Sequence, residues 1–144
     1  MKDLKLIALD VVDLGVLSAH LQDAVMLVGD MVYQPKQKRF VAIANRFDWV
    51  HALGVTLEAD RKLLRRHAAL RFERVLKAQV SGIDLQAKRQ ALDLLAVRFE
   101  GKGAGPDGYA TLTFAGGGQI RLQVECIEVE LRDLGTAWTA RHKP

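Results

Sequence analysis

The chain has 144 residues, 49% of them hydrophobic and 26% charged, with 21 Lys and Arg against 17 Asp and Glu. That length suits one domain spanning 1–144, able to bury roughly two-thirds of its unfolded surface, and the ordinary composition excludes an intrinsically disordered chain. Apolar runs of only a few residues exclude a transmembrane helix, acids within MKDLKLIALDVVDL exclude a signal peptide, and the lone Cys126 excludes an internal disulfide and fits a reducing cytoplasm.

Leu4 to Leu9 is expected to form a first strand, after which Asp10 is placed to cap a helix, with Asp13 as a weak capping-box partner. Val11, Leu14, Leu17 and Leu21 follow at helical spacing and predict an amphipathic helix to about Gln22. Val25 to Tyr33 and Arg39 to Phe47 flank Pro35-Lys36-Gln37-Lys38, a turn with proline at its entry, and predict a hairpin. Residues 48–66 are the least regular part and read as a long loop or a short helix.

Ala68 to Val80 reads as one long strand, followed by a Ser81-Gly82 turn and a short connecting helical turn over Ile83 to Arg89. Within that strand Leu70, Phe72, Leu76, Ala78 and Val80 share a face, and Arg74 falls among them. A guanidinium cannot lose its proton, and burying it unpaired is expensive. Three resolutions are open, in order of preference. A bulge turns Val75 in and Arg74 out, Arg74 is paired with an acid or anion at an open barrel end, or the segment is helical.

Ala91 to Glu100 is expected as a strand with Leu95, Val97 and Phe99 on one side, leading into the flexible loop GKGAGPDG at 101–108. The clearest pattern is Tyr109 to Val124: Ala110, Leu112 and Phe114, then Ile120, Leu122 and Val124, alternate with polar residues around a glycine triplet at 116–118. That is an antiparallel hairpin with one packed and one wetted face. Past Val124 the apolar phase slips by one residue, to Ile127, Val129 and Leu131, which signals a β-bulge or a switch to helix. Gly135 ends this element, and a polar tail follows.

These elements predict an α+β fold: a mostly antiparallel, strongly curved or barrel-like sheet of about seven strands with one N-terminal helix.

Chemical motifs are absent. His20 and Asp23 would share a helix face at i,i+3, but an exposed face is the simpler reading. Cys126 has no metal-spaced companion and no nucleophile signature. Glu125, Glu128 and Glu130 read as the polar side of an element, and Gly116 to Gly118 lack the following Lys and helix of a phosphate loop. No catalytic, cofactor-binding or metal-binding residues are therefore assigned, and whether the protein is an enzyme is left open.

Charge is uneven: residues 34–89 hold thirteen Lys and Arg against five acids, whereas 90–135 hold four against seven. Arg61, Lys62, Arg65, Arg66, Arg71 and Arg74 are the candidate anion-binding residues within this basic middle. The function that best fits a chain without a catalytic motif is a binding or assembly domain acting through protein–protein contacts, with a second copy or another protein as partner. The alternative is an anion- or nucleic-acid-binding module using 61–77, nucleic acid being the less favoured partner. The third is an enzyme whose site is built from sequence-distant residues. No cofactor and no membrane are expected.

The segments DLGVLSAHLQDAV (13–25), YQPKQKRFVAIANRFDW (33–49) and FAGGGQIRLQVECIEVELRDLG (114–135) together resemble a family of small cytoplasmic α-proteobacterial proteins, a domain of unknown function. The resemblance covers most of the chain except roughly 50–66. It implies a bacterial, cytosolic origin and a strand over 68–80, and it carries no functional residues.

Overall fold

The computed structural model describes residues 3–47, 64–135 and 138–139. Its elements in chain order are β1 (Lys5–Ala8), α1 (Val11–His20), β2 (Val25–Gln34), a 3-10 turn (Pro35–Gln37), β3 (Arg39–Phe47), β4 (Leu64–Phe72), β5 (Val75–Ser81), β6 (Ala91–Gly101), β7 (Gly108–Phe114), β8 (Gln119–Val124), β9 (Val129–Asp133) and β10 (Trp138–Thr139). Nine strands run in the hydrogen-bonded order β1-β9-β4-β3-β2-β6-β7-β8-β5, all described pairs being antiparallel, and β10 pairs with β4 off this path.

The expected class, α+β with a mostly antiparallel sheet and one N-terminal helix, is what the structure has. The expected count of about seven strands and the barrel closure are corrected. The run expected as one strand over 68–80 is two strands, and the segment after Val124 supplies another, β9. The path ends at β1 and β5 and does not close. β4 already has β3 and β9 on its two sides, so the strand that follows it in sequence has to pair elsewhere.

Two short links make this topology. Glu73-Arg74 carries the chain from β4 to the far end of the path, and residues 125–128 carry it from β8 back to β9. They run side by side, joined by Glu73 N–H to Glu128 O at 2.9 Å and Glu125 N–H to Arg74 O at 3.0 Å. The slip in apolar phase after Val124 is therefore a passage from one part of the sheet to another, neither a bulge nor a helix. Arg74 lies in the other such passage and takes a left-handed φ of 62° while Val75 turns inward and is buried. The favoured outcome, Val75 in and Arg74 out, is present: the run breaks at Glu73-Arg74, and β5 then shifts register against β8 between Val75 and Lys77, the irregularity expected there. Arg74 is solvent-facing, 3.4 Å from Glu128, and such exposed pairs contribute little. Arg74→Met is accordingly expected to move stability by no more than about half a kcal/mol in denaturant titration. A loss of several kcal/mol would mean that the Glu128 pair is essential to the link.

The best-read elements rest on local chemistry. Asp10 accepts the Asp13 N–H at 2.8 Å and caps α1, as expected, although the helix stops at His20. The hairpin of β7 and β8 buries Ala110, Leu112, Phe114, Ile120, Leu122 and Val124, and its reversal uses Gly116 and Gly117 at φ 89° and 99°, values that a side chain would strain. The hairpin of β2 and β3 turns through Pro35–Gln37, with Lys38 left-handed at φ 53°.

Other details differ. Residues 64–66 belong to β4 rather than to the irregular segment, the remainder of which lies outside the described residues. Residues 83–89 form turns, not a turn of helix, and part of the tail forms β10. In β6 a register shift between Leu94 and Ala96 places Leu92, Leu94 and Val97 inside and leaves Leu95 exposed.

α1 packs against β1 and β6. Its Leu14 and Leu17, with the following Leu21, are buried, and Ser18 Oγ accepts the Val97 N–H at 2.9 Å where β6 has left β2. The buried side chains of α1 and of the strands form one core cluster. No helix among the described residues is long and apolar enough to cross a membrane.

Candidate functional site

Period-two alternation puts three charged side chains into the core. In β3, Phe40, Ala42 and Ala44 face inward, and Arg46 is next in phase. In β4, Arg66 precedes the inward Ala68, Leu70 and Phe72, and in β9, Asp133 follows Val129 and Leu131. Strand pairing sets Arg46 opposite Arg66 and Ala68 opposite Asp133, so the three meet across β3, β4 and β9.

Asp133 accepts Arg46 Nε and Nη2 at 2.9 Å each, a bidentate fork, and the Leu4 N–H at 2.7 Å. Arg66 Nε lies 3.7 Å from the same carboxylate, and Arg66 Nη1 donates to Asp3 at 3.0 Å. Arg46 Nη1 also donates to the Phe47 carbonyl at 3.1 Å. The Asp133 side chain is fully buried and those of Arg46 and Arg66 nearly so. A carboxylate that is fully buried and holds these donors does not face a substrate. Its chemistry is that of a clasp that holds the chain N-terminal to β1 against β3, β4 and β9.

The candidate anion-binding residues do not converge. Arg61 and Lys62 lie outside the described residues. Arg65 and Arg66 are neighbours on β4 and point to opposite faces. Arg65 donates to Asn45 O and Oδ1 at 2.9 and 3.1 Å, with its guanidinium 3.7 Å over the Phe47 ring. Burial pushes its pKa below the ordinary value, and the charges of Asp93 and Asp23 act against that; a guanidinium stays protonated regardless. Arg71 sits roughly 20 Å further along the strand, paired with Glu73 and Glu130, and Arg74 pairs with Glu128. Lys38, Arg39 and Arg74 with Glu73, Glu125 and Glu128 line a groove of ≈ 420 Å³ in which bases and acids balance.

Glu125, Glu128 and Glu130 therefore face cations rather than forming a carboxylate pair. Asp23 lies beyond the end of α1 at φ 63°, so it and His20 do not share a helical face. Cys126 is a partly buried thiol in the 125–128 link. Among the described residues no group of three or more His, Cys, Asp or Glu is placed to hold a metal.

The sequence reading missed two features. The first is the buried Arg46–Arg66–Asp133 cluster: Arg66 is expected only as an anion-binding residue and Arg46 and Asp133 carry no expectation, although each of the three is in phase with an apolar stripe of its own strand. The second is the outward face of α1. Val12, Gly15, Val16 and Ala19 recur at i, i+3, i+4 and i+7, and all are exposed, Val12 by 76% and Val16 by 49%. The helix is apolar on both faces, a pattern that belongs to a helix covered on both sides. Ile7, Leu9 and Val11 beside it are also exposed.

These features describe an α+β sheet protein whose buried charges pair internally and whose helix carries an uncovered apolar face. The chain belongs to the family described as "Protein of unknown function (DUF2948)", whose model matches residues 4–144 and so also spans the 50–66 stretch. No curated protein and no solved structure matches it.

Proposed function

We propose that the protein is a non-catalytic assembly domain that acts through protein–protein contacts made by the outer face of α1. The observation that supports this is the Val12–Gly15–Val16–Ala19 stripe, exposed on a helix whose opposite stripe is already buried. Contiguous exposed apolar surface of this kind marks interaction sites. Gly15 has nothing within 4 Å of where a Cβ would stand, so a second helix can approach closely there.

A second copy of the chain is the partner that the stripe suits best. Two such helices crossing antiparallel about Gly15 would set Val12 of one near Ala19 of the other, and the acidic first turn, with Asp13, near the His20 end. The single-domain organisation and the lone cysteine suit such a role in the bacterial cytoplasm.

Light scattering coupled to size-exclusion chromatography tests this. Wild type is expected to run as a dimer at high micromolar concentration. Val12→Glu with Val16→Glu is expected to give a folded monomer whose folding free energy differs from that of monomeric wild type by no more than about half a kcal/mol, as for a surface change. A wild type that remains strictly monomeric would refute self-assembly.

A further inference from the structure

The outward face of β6, β7, β8 and β5 carries a second surface, remote in sequence from α1. Pairing lays Arg98, Thr111, Arg121 and Gln79 side by side across the four strands, and Glu100, Tyr109, Gln123 and Lys77 form the next row. Thr113, Gln119 and Ser81 continue the pattern on the other side. The platform is about 14 Å across its strands and presents hydroxyl and amide groups that can both donate and accept.

Its cations differ from those on β3 and β4. Arg39, Arg46, Arg66 and Arg71 each hold a carboxylate. Among the described residues Lys77, Arg98 and Arg121 have no acid within salt-bridge distance. Arg121 is instead laid flat, its guanidinium carbon 3.8 Å over the Tyr109 ring, and with Thr111, Gln119 and Glu100 it lines a groove of ≈ 310 Å³. Tyr109 and Arg121 are diagonal neighbours in the sheet, so backbone register brings them within reach of this stack.

We infer that this face binds single-stranded nucleic acid, with a base stacked on the Arg121–Tyr109 pair and phosphates held by Arg98 and Lys77. A planar cation on an aromatic ring offers a base a stacking surface regardless of its identity. The neighbouring Gln and Thr side chains reach base edges in either hydrogen-bonding sense, and the unpaired cations at the flanks suit the backbone. A strand with splayed bases can lie on this flat face, whereas a duplex keeps its base faces stacked and inaccessible. This inference does not depend on self-assembly through α1.

The test is fluorescence anisotropy of a labelled mixed-sequence single-stranded RNA of about eight nucleotides, titrated with the full chain at about 50 mM salt. Binding is expected, weakening by about tenfold at about 200 mM salt as phosphate contacts are screened. Arg121→Ala and Tyr109→Ala should each weaken it about tenfold through lost stacking. Arg121→Lys keeps the charge, loses the plane, and should also bind more weakly. Arg98→Ala, at an exposed position, should weaken binding severalfold without altering the melting curve, and Arg74→Met should bind as wild type. Absence of binding at the low salt would overturn the inference, as would full binding by Arg98→Ala and Arg121→Lys. It is equally overturned if heparin and duplex RNA compete as well as the single strand while Tyr109→Ala is silent, since that describes a general polyanion surface without stacking.

Discussion

Asp133→Ala is expected to cost about 3–5 kcal/mol, enough to unfold a marginally stable domain at moderate temperature. The substitution removes the acceptor for Arg46 Nε, Arg46 Nη2 and the Leu4 N–H together, and leaves the buried Arg46 guanidinium without a counter-charge. Arg46→Met should be milder than Asp133→Ala. It takes away one cation, keeps apolar volume, and leaves Asp133 with Leu4 N–H and Arg66 nearby. Equilibrium unfolding in denaturant reads both differences. If Asp133→Ala shifted stability by less than about 1 kcal/mol, water would have to reach the guanidinium, and the cluster would not be the dry clasp that its burial indicates.

Leu17→Ala is the second large effect, at about 2–5 kcal/mol. Leu17 is fully buried between Leu14 and Leu21 on the inward side of α1, and the helix is held against β6 by the Ser18–Val97 hydrogen bond. Truncation leaves a cavity that a helix so anchored can only partly collapse. The contrast with Val12 and Val16 is the informative part, since these exposed residues tolerate charge if the helix is only surface there. A Leu17→Ala change below about half a kcal/mol would show that α1 is peripheral to the core.

The platform on β5–β8 and the stripe on α1 make separable claims. Val12→Glu with Val16→Glu should abolish self-association and leave nucleic-acid binding in place, and Arg98→Ala should weaken nucleic-acid binding severalfold and leave self-association in place. The surfaces lie on different elements, which is why one set of variants can score both.

Elements whose cause is local were legible in the residues. The alternation from Tyr109 to Val124, the three glycines at its turn, the Asp10 cap and the 3.6-residue spacing of Leu14, Leu17 and Leu21 each specify conformation within a few positions. They also specify which side chains are buried. Sequence alone likewise placed an apolar phase change after Val124 and a conflict at Arg74. Why the phase changes was not legible, because the answer is where the chain goes next. Glu73-Arg74 and 125–128 are passages between distant parts of one sheet that exist only because β4 lies between β3 and β9 while β5 pairs with β8.

The buried charges show the same division. Phase within each strand marks Arg46, Arg66 and Asp133 as inward-facing, a local property that the residues carry openly. That they meet is a property of pairing between segments 87 positions apart for Arg46 and Asp133, and 129 apart for Leu4 and Asp133. Alternation says which way a side chain points but not which strand lies beside it. Partner choice follows from burying every strand's apolar face at once, a condition on the whole chain that no single segment contains.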